Sequence, residues 1–181
     1  MDAPIPETDR RAILAAARQA IADAAAGRRP GAPPAAGVFA RRAGAFVSLH
    51  RHGDLRGCIG HIDDDTTLSQ VISHCAAAAA VDDPRFPPVT AGELADLDIE
   101  VSVLTPPVRV GDVAEIEVGR DGLIIEQHGR KGLLLPQVAS EQHWDRETFL
   151  SRTCTKAGLP ADAWRHGATI YRFQAEVFGE R

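Results

Sequence analysis

Apolar and polar positions change their period along the chain, and these changes predict alternating helices and strands. The first periodic segment repeats at helical spacing, through Ile13, Ala17, Ala20, Ile21 and Ala24. It predicts a helix capped by Thr8 or Asp9. The helix is expected to end near Ala26, because Gly27 favours the left-handed stop that follows many helices.

The segment "GAFVSLHRHGDLRGCIG" predicts a hairpin, with arms over Phe46–Arg51 and Leu55–Ile59 and a turn at residues 52–54. A second helix begins near Thr67, which has capping-box spacing to Gln70. Its apolar positions are Leu68, Val71, Ile72, Cys75 and Ala79. It ends in the segment "VDDPRFPPV", because proline cannot continue a helix.

The second half of the chain predicts further strands and one helix. "LDIEVSVLTPP" is a strand, and "AEIEVGRDGLIIEQHGRKGLLLPQV" is a meander of three short strands. Asp145 caps a helix through about Lys156. "ATIYRFQAEVF" predicts a closing strand with the buried positions Tyr171, Phe173, Ala175 and Val177. Hairpin-linked strands mixed with helices favour an α+β fold, mostly antiparallel sheet with flanking helices.

Composition and charge narrow the class of protein. The 181 residues are 44% apolar and 25% charged, as in ordinary globular proteins, and the formal net charge is -5. An acidic chain without a clustered basic face predicts no nucleic-acid partner. No apolar run reaches the roughly 20 residues that cross a bilayer, and the charged N-terminus does not resemble a signal peptide, so no membrane is expected. The three cysteines, an odd number, predict a cytoplasmic protein.

The segment "DLRGCIGHI" at residues 54–62 places one cysteine between two glycines. On an extended strand Arg56 and Cys58 point to the same face, and a guanidinium beside a thiol favours the reactive thiolate. Gly57 lets a backbone or a ligand approach closely, and Gly60 lets the chain turn. The segment therefore predicts either a thiol presented beside a positive charge or a small buried residue between turn-forming glycines.

Other candidate groups leave alternatives open. Arg85 is either an ion-pair anchor or an anion clamp, and Glu100 is either exposed or paired with an arginine. Cys75 and Cys154 occupy apolar helix positions and are expected in the core. A metal site has an incomplete set of candidate ligands: His50, His52, Cys58 and His61.

Longer motifs resemble a known family. "LRGCIGHI", "AAAAVDDPRFPPV", "LDIEVSVLTPP" and the segment from "GLLLPQVA" to "KAGLP" resemble the AMMECR-type domain family, whose bacterial and archaeal members are called AmmeMemoRadiSam system protein A. The resemblance covers about residues 10–178, as a single domain with two lobes. Residues 1–9 and 179–181 are predicted as terminal tails. The Pro/Gly-rich loop at 30–36 lies outside the family pattern.

The resemblance implies a compact α+β unit with a larger and a smaller lobe, and a cleft between them that the hallmark segment lines. It also implies association with a Memo-type protein, which is similar in fold to extradiol ring-cleaving dioxygenases, and with a radical S-adenosylmethionine (SAM) enzyme. No cofactor is expected. The family pattern carries over to Arg56, Gly57, Cys58, Gly60, Asp83, Pro84, Arg85, Phe86, Glu100, Ser102, Pro136, Gln137 and Lys156.

The sequence favours an accessory binding component over an enzyme, because it assembles no complete catalytic set. Under this hypothesis the LRGCIG surface docks a Memo-type protein, a radical SAM enzyme or a small ligand. The expected binding residues are Gly57, Gly60, Arg85, Ser102, Gln137 and Lys156. The alternative is a thiol-dependent enzyme, with Cys58 as nucleophile, Arg56 stabilising its thiolate and Glu100 orienting the groups. A third hypothesis is a mononuclear metal-binding protein.

Overall fold

Four α-helices and eight strands form within residues 4–180, the part of the chain that the computed structural model describes. The helices are α1 (Glu7–Ala25), α2 (Leu68–Val81), α3 (Pro136–Glu141) and α4 (Arg146–Lys156). The strands are β1 (Ala45–Arg51), β2 (Asp54–His61), β3 (Leu97–Leu104), β4 (Val108–Arg109), β5 (Gly122–Gln127), β6 (Arg130–Leu134), β7 (Thr169–Phe173) and β8 (Ala175–Gly179). None of these helices combines the length and the apolar character that a membrane crossing requires.

The chain divides into two compact units, each with its own sheet and its own core. The first unit comprises the described residues up to Leu104 together with those from Glu176 onward. The second unit comprises Thr105–Ala175. Hairpin partners and sheet neighbours run antiparallel in both sheets, with helices packed against them. The α+β class is therefore confirmed.

In the first unit the strand order is β2-β1-β3-β8, and one face of the sheet is covered by helices. Burial alternates along β1 and β3, because successive side chains of a strand point to opposite faces. The core-facing positions include Ala45, Val47, Leu49, Ile99 and Val101, which are all buried. The opposite face carries Ser48, Cys58, Glu100 and Ser102, and is called here the Cys58 face.

In the second unit the strand order is β4-β7-β5-β6, and α4 packs on β5 and β6. The predicted start of this helix is confirmed, because the Asp145 side chain accepts a hydrogen bond from the Thr148 N–H at 2.8 Å. The apolar side of α4 is buried through Phe149, Leu150 and Cys154. The expected core position of Cys154 is thus confirmed, and Cys75 is equally buried in the first unit.

Some predictions of local structure are wrong. The first arm of the predicted meander is a 3-10 turn at Val113–Glu115, because Asp112 and Glu115 form a reciprocal capping box. Helix α1 begins at Glu7 after Pro6, so neither Thr8 nor Asp9 caps it. At α2 the N-cap position of Thr67 is right, but its side chain makes no capping hydrogen bond.

The closing segment forms two strands rather than one. β7 belongs to the second sheet and β8 to the first, and the chain turns between them at Gln174. Gln174 is paired with Thr105 through two hydrogen bonds of 2.8 Å. The change of sheet breaks the alternation, so that Phe178 is buried whereas Val177 is 44% exposed. The prediction of one strand with a buried Val177 is therefore wrong.

Candidate functional site

The position of Cys58 depends on a bulge in the β1–β2 hairpin. Close to the turn His50 pairs with Leu55, but beyond the bulge Ser48 pairs with Cys58. Arg56 is the extra residue of β2 and has no partner opposite it. A one-residue slip moves every later side chain of a strand to the other face. Without the bulge Cys58 would therefore face the helices, and with it Cys58 shares a face with Ser48.

Three polar side chains form a row across the Cys58 face. The Ser48 hydroxyl donates a hydrogen bond to the Cys58 sulfur, with an Oγ–Sγ distance of 3.2 Å. Glu100 on β3 is paired with Ser48 from the other side. Directly opposed residues have Cβ atoms about 4.5–5.5 Å apart, so thiol, hydroxyl and carboxylate follow one another within side-chain reach. Within residues 4–180, the Cys58 sulfur has no hydrogen bond to a histidine.

An ion pair between the buried Asp83 and the exposed Arg85 closes the outer edge of β2 at Cys58. The Cys58 N–H donates to Asp83 Oδ2 at 2.9 Å, and the Cys58 carbonyl accepts a longer contact of 3.4 Å from Arg85 Nη2. Arg85 also donates hydrogen bonds to both carboxylate oxygens of Asp83, from Nε at 3.0 Å and from Nη2 at 2.7 Å. The hydrogen bond from Arg85 holds the pKa of Asp83 well below its ordinary value, although the carboxyl side chain is only 3% exposed. These two side chains replace a neighbouring strand, because an unpaired edge leaves backbone groups unsatisfied.

Arg56 is engaged by the chain segment that follows α2. Its Nε and Nη2 donate to the Glu93 carboxylate at 3.0 and 3.3 Å, and its Nη1 donates to the Pro87 carbonyl at 2.8 Å. Glu93 also accepts from Arg51 and from the Thr90 N–H. The hydrogen bonds from Arg56, and after it those from Thr90, lower the pKa of Glu93 from 4.5 to about 2. Arg56 therefore anchors the proline-rich segment to β2.

Both glycines of the motif are required by close contacts. A Cβ on Gly57 would lie 2.1 Å from the Ala79 carbonyl oxygen, because α2 packs directly on β2 there. A Cβ on Gly60 would lie 2.2 Å from the ring of Phe46. In both cases the neighbour is another part of this chain, one a backbone and the other an aromatic ring.

The remaining predicted site residues lie elsewhere. Ser102 belongs to the Cys58 face, is buried and is paired with Phe46. Gln137 is on α3 and Lys156 is the last residue of α4, both in the second unit. Arg85 lies beside Cys58 and stacks over the Phe86 ring at 5.4 Å.

The described residues contain no cluster that could hold a metal ion, and two of the three thiols are buried. Residues 4–180 contain no group of three or more His, Cys, Asp or Glu side chains that could hold a metal ion. His61, one of the proposed ligands, is paired with Asp65 at 2.7 Å. Burial raises the pKa of the Cys75 thiol to about 12 and also raises the pKa of Cys154. Cys58 is the most exposed of the three cysteines.

Three residues make contacts at the centre of the site, although sequence patterns alone do not identify them as site residues. The contact of Ser48 with Cys58 cannot be predicted from the sequence, because the bulge that pairs the two residues has no sequence signal of its own. Asp83 enters only through the family resemblance, without a role. The position of Glu93 could have been predicted, because the segment "TAGE" has capping-box spacing. Thr90 and Glu93 do form that capping box.

Comparisons with known proteins agree with this architecture. The AMMECR1 family model matches residues 14–178. A protein from Methanothermobacter thermautotrophicus is 47% identical over 189 residues, which covers 98% of this chain and 97% of the relative. Protein TK0174 from Thermococcus kodakarensis is 52% identical over 148 residues, which covers 76% of this chain and 72% of that protein.

Among solved structures, this chain is similar to the uncharacterised protein PH0010 from Pyrococcus horikoshii. The TM-score is 0.84 at 42% sequence identity, and the match covers 93% of this chain and 90% of that chain. The α+β architecture of this chain is thus shared with a solved archaeal protein. The chain belongs to the AMMECR1 family, and the resemblance seen in its motifs is confirmed.

Proposed function

We propose that this chain is a non-catalytic accessory component that binds a partner through the LRGCIG segment and the Cys58 face. The main support for the proposal is that the charged side chains around the motif are bound to other groups of this chain, where they hold the motif's backbone in place. Arg56 is bound to Glu93, and the Asp83–Arg85 pair is bound to the Cys58 peptide groups. A surface that is already ordered before binding loses little conformational entropy on association, which favours recognition.

The proposed partners are a Memo-type protein and a radical SAM enzyme, in the cytoplasm and without a cofactor of this chain. The family resemblance supports these partners, and the three unpaired cysteines support the compartment. Glu100 and Ser48 are the polar contacts that the Cys58 face offers besides the thiol. In this proposal the Cys58 thiol contributes to the shape of the surface and does not react as a nucleophile.

The test is a pair of calorimetric titrations of the purified chain, one with a Memo-type protein and one with a radical SAM enzyme from the same organism. Glu100→Lys reverses a charge on the Cys58 face and should weaken binding by about ten-fold or more, as loss of a charged contact does. Glu7→Lys, on the exposed side of α1, is the matched control and should bind like the wild type. Cys58→Ser should also bind normally. Absence of binding to both proposed partners, or a loss confined to Cys58→Ser, contradicts the proposal.

A second candidate function is thiol-dependent catalysis by Cys58. It is favoured by the Ser48 hydroxyl, which donates a hydrogen bond to the Cys58 sulfur, and by the partial exposure of this cysteine, because a nucleophile needs a positioned and accessible sulfur. Iodoacetamide alkylation distinguishes the two functions. The buried Cys75 and Cys154 should stay unmodified in the folded protein, so the reaction reports Cys58. A rate at neutral pH no faster than that of a model thiol removes the catalytic candidate.

A further inference from the structure

A groove on the first unit lies away from the Cys58 face, between the end of α1, the loop after it and one side of α2. Its volume is about 430 Å³, within the range of small-molecule sites. Its walls include the small or apolar residues Ala24, Ala77 and Val81 and the charged or polar residues Arg29, His74 and Asp82. None of these residues takes part in the proposed partner surface.

Two buried serines hold the loop that forms one wall. The Ser73 hydroxyl donates to the Gly31 carbonyl at 2.9 Å, and the Ser69 hydroxyl donates to the Pro33 carbonyl. Ser69 and Ser73 are four residues apart, so they lie on the same side of α2. The Pro/Gly-rich loop is therefore fixed along the helix, and Arg29 and His74 both line the groove.

The charges along the groove are uneven. Arg28 is neutralised by Asp23 at 2.7 Å, whereas Arg29 and His74 have no hydrogen bond or ion pair to any described residue. Asp82 also lines the groove, eight residues after His74 and therefore about 12 Å further along the helix axis. The groove thus offers unpaired hydrogen-bond donors and an apolar wall, and its acidic group lies away from His74 along the helix.

We propose that this groove binds a small amphipathic anion, a carboxylate or phosphate with an apolar chain. The anionic head is bound by Arg29 and His74, which are free to donate to its oxygens. The apolar chain lies over Ala77 and Val81, where burial of its methylene groups is favourable. Asp82 repels the anionic head, so the head is expected on the His74 side and the ligand binds in one orientation.

The experiment is a titration of the full chain with octanoate and with octyl phosphate, followed by NMR shift changes and calorimetry. Both probes carry the same chain, so the tighter one identifies the head group. Arg29→Gln and Ala77→Leu should each weaken the tighter probe by about ten-fold, one by removing the cation and the other by filling the groove. Arg11→Gln, at an exposed arginine of α1 outside the groove, is the matched control and should leave the dissociation constant unchanged.

Three results overturn the proposal: neither probe saturates below about 1 mM, Arg11→Gln weakens binding as much as Arg29→Gln, or inorganic phosphate binds as tightly as octyl phosphate. The last result identifies a plain anion patch with no use for the apolar walls. All variants are at exposed or half-buried positions, and circular dichroism confirms that each is folded before titration.

Discussion

Gly57 sits where α2 meets the backbone of β2, with no room for a side chain. Gly57→Ala places a methyl group 2.1 Å from the Ala79 carbonyl oxygen, so the helix must move away from the sheet. We expect the free energy of unfolding to fall by about 2 kcal/mol or more, the usual effect of overpacking. Urea denaturation followed by circular dichroism measures this loss.

Gly92→Ala is the control for that prediction. A Cβ at Gly92 meets nothing within 4 Å, and this glycine has no positive φ. Its free energy of unfolding should stay within about 0.5 kcal/mol of the wild type. Equal stability of Gly57→Ala and Gly92→Ala would contradict the close helix contact.

Glu93 makes the stability of the first unit depend on pH. Because its pKa falls from 4.5 to about 2 on folding, its contribution is fully present above pH 4.5 and is lost as pH falls toward 2. Asp83 acts in the same direction, because its pKa is also lowered on folding. We expect the urea midpoint of the wild type to fall steeply below pH 4.5, and that of Glu93→Gln to fall less. Glu7→Gln, which removes an exposed carboxylate, should keep the wild-type slope.

At the scale of elements, β2 is an edge strand closed by a segment that cannot itself act as a strand. Prolines at 84, 87 and 88 lack the N–H that a sheet ladder needs, so the segment is attached through Arg56 and the Asp83–Arg85 pair. Arg56→Ala should speed hydrogen exchange of the amides between residues 83 and 90 by about ten-fold, because the segment loses its largest anchor.

Mass-spectrometric hydrogen exchange of the intact protein measures this effect. Arg11→Ala, in an exposed pair on α1, is the control and should leave the same peptides unchanged. Unaltered exchange in Arg56→Ala would mean that the Asp83–Arg85 pair alone holds the segment.

The sequence predicts most elements of this fold, but it does not predict the register that sets up the site. The hairpin has a two-residue turn, in which His52 and Gly53 both have positive φ. If the strands paired without a bulge from this turn onward, Cys58 would face the core. The extra residue, Arg56, is stabilised by Glu93 from a distant part of the chain, so its effect on the strand is a tertiary one. The apolar periods of α2 and β3, by contrast, are local patterns, and they predict these two elements correctly.

For the whole molecule, the end of the chain completes the first core. Phe178 on β8 is buried in that core with the Arg10 guanidinium 5.6 Å over its ring, and Glu176 accepts hydrogen bonds from the Ile5 N–H and from Arg10. Phe178→Ala should lower the free energy of unfolding by about 3 kcal/mol, as removal of a buried aromatic ring does. Thermal and urea denaturation are the measurements.

Val177→Ala tests whether that loss comes from burial or from the strand itself. Val177 is the neighbouring residue and is exposed, so its truncation should change stability by about 0.5 kcal/mol or less. Similar losses in both variants would contradict the assignment of Phe178 to the core.

Thr105 and Gln174 mark the points where the chain leaves and rejoins the neighbouring strands β3 and β8. Everything between them is one uninterrupted insert, whereas its host is assembled from both ends of the chain. Genetic recombination at these two points would exchange or resize the insert without breaking a strand pairing of the host. Lineages of such proteins can therefore diversify residues 105–175 while inheriting the cysteine-bearing framework intact.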